Sequence, residues 1–161
     1  MKRLFIAIFM LVAVVAQAQI ITFEDYECGR LGFNTKLTAR KSTLNEQVNK
    51  ILRFEMKTTT GTMIIALSEQ QLESVLMQLE DLRNQSVNLS CDYFEKYITI
   101  ITDARDTFRV GYYVKTKLDA TKAKQWFVSA DNGIKEFYEV VAFDEIYRTL
   151  GHARNKLKSI Q

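Results

Sequence analysis

Proline is absent from all 161 residues, histidine and tryptophan occur once each, cysteine twice and glycine six times. Each scarcity removes a class of protein. Without proline, and with no Gly/Ser-rich or low-complexity tract, no linker divides the chain into domains. A lone histidine, His152, leaves multi-histidine metal centres without ligands and gives a Ser-His-Asp scheme one candidate base. Gly29-Arg30-Leu31-Gly32 holds the only closely spaced glycines, in neither the spacing nor the context of a phosphate loop; it reads as a turn between the first two strands. No HExxH occurs, and no cofactor is implied.

Long apolar runs are also missing, apart from Leu4 to Val15. Lys2 and Arg3 precede that run and Ala16-Gln17-Ala18 follows it, which is the charged, apolar, small-residue order of a secretory signal. Twelve residues fall short of the roughly 20 that a helix needs to span a hydrocarbon core. The reading is therefore a signal peptide at 1–18, a single domain at 19–161, a periplasmic or secreted location, and no stable membrane anchor after cleavage. No cysteine stands at the cleavage point to carry a lipid.

Removing the leader also removes most of the net positive charge. The 22 Lys and Arg against 19 Asp and Glu become 20 against 19 once Lys2 and Arg3 are gone, so the net charge of +3 falls to +1. A basic surplus is the footprint of a phosphate-backbone binder, so this balance disfavours nucleic acid as a partner. In an exported chain Cys28 and Cys91 form a disulfide candidate. Closing that loop would contribute about 4 kcal/mol in the chain-entropy model; the alternative is two separately buried thiols.

What is present reads as two similar halves, 20–89 and 90–161. Residues 20–27 and 33–39 are candidate strands. In "ILRFEMKT", Leu52, Phe54 and Met56 face one way and Arg53, Glu55 and Lys57 the other. A turn at Gly61 leads into "MIIAL". Ser68 with Gln71 forms a capping box, Leu67 can staple against Leu72, and Leu72, Val75, Leu76, Leu79 and Leu82 recur at helical spacing. The second half offers "YFEKYITIIT", a turn at "DARD", then "TFRVGYYVK", "KAKQWFVSA" and "IKEFYEV", the last two joined at Asp131-Asn132-Gly133. A final helix over Phe143–Leu157 has the stripe Phe143, Ile146, Tyr147, Leu150, Ala153 and Leu157. A shift of 71 maps the first helical stripe onto the second. A shift of 72 maps Gly61, Phe54 and Met56 onto Gly133, Trp126 and Val128.

The expected fold is α+β: two β4-α units with mostly antiparallel sheets, each closed over by its own amphipathic helix. A lipocalin-like barrel has no place for a long helix between its fourth and fifth strands. Four strands and a helix, repeated, resemble the plan of the Whirly and purine-rich-element-binding families. That resemblance is one of topology across residues 19–161, without a shared motif, and it implies a single-stranded nucleic-acid interface.

Chemistry is thinly signalled. His152 sits among cationic residues near a helix end, and Asp103 and Asp106 flank a hairpin turn without the further oxygens of a calcium loop. No catalytic or metal-binding set emerges. The stronger signal is aromatic: Tyr93, Phe94, Tyr97, Tyr112, Tyr113, Trp126, Phe127, Phe137 and Tyr138 crowd the second half, interleaved with Lys115, Lys117, Lys122 and Lys124. Tyr113, Lys115, Lys124 and Trp126 are the candidate binding residues, on a sheet face that stacks on a partner or becomes a second core or dimer interface. The leading expectation is a non-enzymatic exported protein that binds an unidentified macromolecule or itself. The alternatives are a small hydrolase, a ligand carrier or a single-stranded nucleic-acid binder.

Overall fold

The computed structural model describes residues 21–87, 90, 92–115 and 123–161. The expected leader, Cys91, Lys117 and Lys122 lie outside these residues. Strands β1 (Thr22–Leu31), β2 (Thr35–Leu44), β3 (Gln47–Thr58) and β4 (Gly61–Ser68) precede helix α1 (Glu69–Asn84). Strands β5 (Tyr93–Ile101), β6 (Thr107–Lys115), β7 (Gln125–Asp131) and β8 (Glu136–Val140) precede helix α2 (Phe143–Ser159). Each set of four forms its own antiparallel sheet in simple sequential order. The α+β class and the duplicated β4-α order follow the sequence pattern.

Local chemistry explains most boundaries. Along β3 the alternation holds, with Leu52, Phe54 and Met56 fully buried. Ser68 Oγ accepts from Gln71 N at 3.2 Å, and Gln71 Oε1 accepts from Ser68 N at 2.9 Å. This reciprocal cap stabilises α1 by about 1 kcal/mol. All five residues of the α1 stripe are buried. Helix α2 has no side-chain cap at Ala142; Asp144 and Glu145 in its first turn and Lys156 and Lys158 in its last complement the dipole instead.

One turn differs from expectation, and another carries no sequence signal. Strand β1 runs on to Leu31 through a bulge, where the register shifts between Glu27 and Gly29, so the β1–β2 turn falls on Gly32, Phe33 and Asn34. The β2–β3 turn is Asn45-Glu46, with φ of 48° and 67°. These left-handed residues match the twist of a tight hairpin, a role for which Asn-Gly is the usual sign and Asn-Glu is not.

The pairing of helices with sheets is exchanged relative to the sequence reading. Helix α2 lies on β1, β2 and β3, whereas α1 closes over β5 and β6 while still touching β3 and β4. Both connections are short: strand β4 passes into α1 with no intervening residue, and β8 reaches α2 through Val141 and Ala142 alone.

The exchange produces one core. Phe54 of β3 and Phe108 of β6, both fully buried, meet with ring centroids 4.7 Å apart. The helices also touch: Tyr147 Oη donates to Glu80 Oε1 at 2.6 Å, and the Arg83 guanidinium lies 4.6 Å from the Phe143 ring centroid. That contact leaves Phe143 and Tyr147 half-buried. A further tie joins the halves at the β1–β2 turn, where Phe33 N donates to Glu139 Oε1 at 2.8 Å and Gly32 N to Glu145 Oε1 at 2.8 Å.

Cys28 lies at the β1 bulge as a free thiol, 4% exposed, and burial pushes its pKa up. A thiol reagent is therefore expected to label Cys28 only after denaturation. Peptide mapping of native and denatured samples checks this. Failure of both cysteines to label in denaturant without reductant would reveal the Cys28–Cys91 bridge instead.

Candidate binding face

Both sheets turn apolar inner faces toward the helices; their outer faces differ. On the first sheet, Arg40 Nε and Nη2 donate to the Asp25 carboxylate at 2.6 Å each, and Arg53 lies 3.5 Å from Glu55 and 3.9 Å from Asp25. Arg40 holds the Asp25 carboxyl below the usual range. On this face Asp25, Arg40, Arg53 and Glu55 pair with one another, and the Arg40 guanidinium lies 5.1 Å from the ring centroid of the exposed Phe23.

The second sheet carries rings. Tyr113 of β6 pairs with Glu95 and Gln125, and one step along Gly111 pairs with Tyr97 of β5 and Phe127 of β7. Period-two alternation thus gathers Tyr93, Tyr97, Tyr113, Phe127 and Tyr138 on one side. Tyr93 stacks on Tyr113 at 5.9 Å, Phe127 on Tyr138 at 5.0 Å, and Tyr97 meets Phe127 edge-on at 6.4 Å. Gly111 makes room for them: a Cβ there would stand 2.2 Å from Lys96 O and 2.4 Å from Tyr97 Cβ. Phe127 is only 2% exposed, walled in by the tyrosines, while Tyr93, Tyr97 and Tyr138 stay about half exposed. The cluster is thus a small second core whose rim is open.

An open groove of about 510 Å³ runs over this face, and its lining includes Glu95, Tyr97, Arg109, Phe127, Glu136 and Tyr138. Side chains from both edge strands, β5 and β8, contribute to it. The Arg109 guanidinium lies 5.6 Å from the Tyr97 ring centroid. Its Nε is buried and has no hydrogen-bond partner among the described residues. Tyr93 Oη donates to Glu95 Oε2 at 2.8 Å.

Crowding also alters the phenols. Burial, reinforced by the hydrogen bond to Glu95, pushes the Tyr93 pKa up to about 12. Burial, with Tyr113, Tyr93 and Glu95 nearby, raises that of Tyr138. A phenol whose folded pKa exceeds its unfolded value stabilises the fold below the unfolded pKa, and that stability is lost as pH rises through the folded one. Stability is therefore expected to fall as pH climbs from about 10 toward 12. Absorbance titration of tyrosinate beside thermal melts checks it, and Tyr93→Phe should shrink the alkaline loss.

The four residues expected at the site divide between two sides of the sheet. Tyr113 lies on the outer face, with Lys115 Nζ 5.6 Å from its ring centroid. Trp126 is on the inner face, 7% exposed, between Tyr112 at 5.2 Å and Phe143 at 4.6 Å. Lys124 turns to the end of α1, where Nζ donates to the carbonyls of Leu82, Arg83 and Gln85. It thereby satisfies carbonyls that the helix leaves open. Lys124→Met is expected to cost about 1 kcal/mol of stability, read by denaturant melts.

Arg109, Glu95, Glu136 and Gly111 were not foreseen as site residues. The sequence carried two hints of them. Tyr93, Glu95 and Tyr97 alternate onto one face, and a glycine inside a strand marks close backbone approach. His152 is an exposed residue of α2, and Asp103 and Asp106 flank the β5–β6 turn, where Asp106 N donates to Thr102 Oγ1 at 3.1 Å. Among the described residues no three His, Cys, Asp or Glu side chains gather to hold a metal ion, and no helix is long and apolar enough to cross a membrane. No family model matches the chain, and no curated protein matches it.

Proposed function

We propose that this chain is an exported, non-enzymatic binding protein that contacts a macromolecule through the aromatic outer face of its second sheet. The observation that carries this reading is the contrast between two sheets of one plan. One outer face carries an ion-pair network of Asp25, Arg40, Arg53 and Glu55, while the other gathers aromatic rings and lines a groove with the half-exposed Tyr97 and Tyr138. Exposed aromatic clusters rimmed by polar groups mark interaction surfaces. Export rests on Lys2-Arg3, the apolar run and Ala16-Gln17-Ala18.

The duplicated plan resembles families that bind single-stranded nucleic acid. Here Glu95, Asp131 and Glu136 line the groove against the single Arg109, a balance that repels phosphate.

A photo-crosslinking residue placed at Tyr138 tests the reading in the organism itself, with Ile64 on the first sheet's outer face as control. Adducts at Tyr138 and not at Ile64 are expected, and mature protein should begin at Gln19. Equal labelling at both positions, none at Tyr138, or exported protein beginning at Met1 would count against it.

A further inference from the structure

The groove is built from three kinds of group, and their combination narrows the ligand. Tyr97 and Tyr138, half exposed, offer flat ring faces, while Phe127 forms the floor. Glu95 and Glu136 offer carboxylate oxygens, which can only accept hydrogen bonds. Arg109 offers a fixed fork of donors, and its buried Nε has no acceptor among the described residues.

A ligand that fits must therefore present apolar flat faces, donors for the carboxylates and an acceptor for the guanidinium, all within one small unit. The surplus of carboxylates over Arg109 excludes polyanions by charge complementarity. The same surplus would draw a cationic group, so basic peptides are the rival ligand in the test. A neutral ring bearing vicinal hydroxyls meets every requirement. Each hydroxyl donates to a carboxylate while accepting from Arg109, and the ring's axial C–H face lies on a tyrosine.

From this geometry we infer that the groove binds a neutral polysaccharide chain, with sugar rings stacked on Tyr97 and Tyr138 and hydroxyls held by Arg109, Glu95 and Glu136. The inference rests on the aromatic-face reading and assigns its partner class. Glu95 is already oriented by the Tyr93 hydroxyl at 2.8 Å, so one hydrogen-bonding wall is preset. Such preorganisation lowers the cost of binding.

The experiment is calorimetric titration of the full-length protein with neutral gluco-, xylo-, manno- and chito-oligosaccharides, beside a panel of neutral and basic peptides. The variants Tyr97→Ala, Tyr138→Ala and Arg109→Gln are compared with Ile64→Ala, and melts confirm that each remains folded. At least one oligosaccharide is expected to bind with Kd of about 1 mM or tighter. The three groove variants should weaken it at least about tenfold and Ile64→Ala should leave it unchanged. Arg109→Gln keeps a donor and removes the charge, so a merely structural arginine would leave affinity intact. Binding of peptides alone, lost in the same variants, overturns the sugar assignment while the aromatic face stands as the contact. Sugar binding indifferent to all three substitutions overturns the assignment and the face together, and so does the absence of binding to either panel.

Discussion

Gly111→Ala is expected to destabilise the protein by about 3 kcal/mol, the upper range for forcing an extra atom into a packed site. The added Cβ would stand 2.2 Å from Lys96 O, 2.4 Å from Tyr97 Cβ and 2.6 Å from Tyr97 Cα. All three atoms are backbone or fixed to it, so no side-chain rotation relieves the contact. Strand β5 must move away from β6, carrying Glu95 and Tyr97 out of the groove. The melting temperature should fall by roughly 10 °C. A loss below about 1 kcal/mol would mean that β5 yields without cost, and the account of the aromatic face would need revision.

The second large effect lies where the sheets meet. Phe54→Ala removes a fully buried ring packed 4.7 Å from Phe108, and about 3 to 5 kcal/mol of stability is expected to go with it. Phe108→Ala should cost a similar amount. The double variant should lose less than the sum of the two, with coupling of about 1 kcal/mol. Because the core is continuous across both halves, unfolding in denaturant should remain a single transition. Two separated transitions would show the halves to be independent.

Much of this architecture was readable from the chain because local rules agreed with one another. The Ser68–Gln71 cap, the leucine stripe of α1 and the alternation through Leu52, Phe54 and Met56 each follow from neighbours a few residues apart. The glycine pair at 61 and 133 also held its meaning, both residues having positive φ at matching hairpin tips.

What escaped was decided at long range. A buried stripe says that a helix packs, but not against which sheet, so the exchange of α1 and α2 had no local signature. Trp126 and Phe127 illustrate the same limit for the site. Adjacent strand residues must point to opposite sides, and only the register of β6 with β7, Tyr112 against Trp126 and Gly111 against Phe127, settles which ring goes in. Lys124 is one position further from Phe127 than Gln125, and that parity turns it from a candidate ligand contact into a helix cap. Asn45-Glu46 gave no warning because its left-handed backbone is imposed by the hairpin, not preferred by glutamate.

The crossed helices bear on how the molecule is made. The segment that seals β1, β2 and β3 follows all eight strands in sequence, so the amino-terminal ribbon stays uncovered until α2 has been made. The chain cannot complete the core of its first sheet before α2 is added. Cutting it between α1 and β5 should leave two fragments that are each incomplete alone and recover a native fold only when mixed.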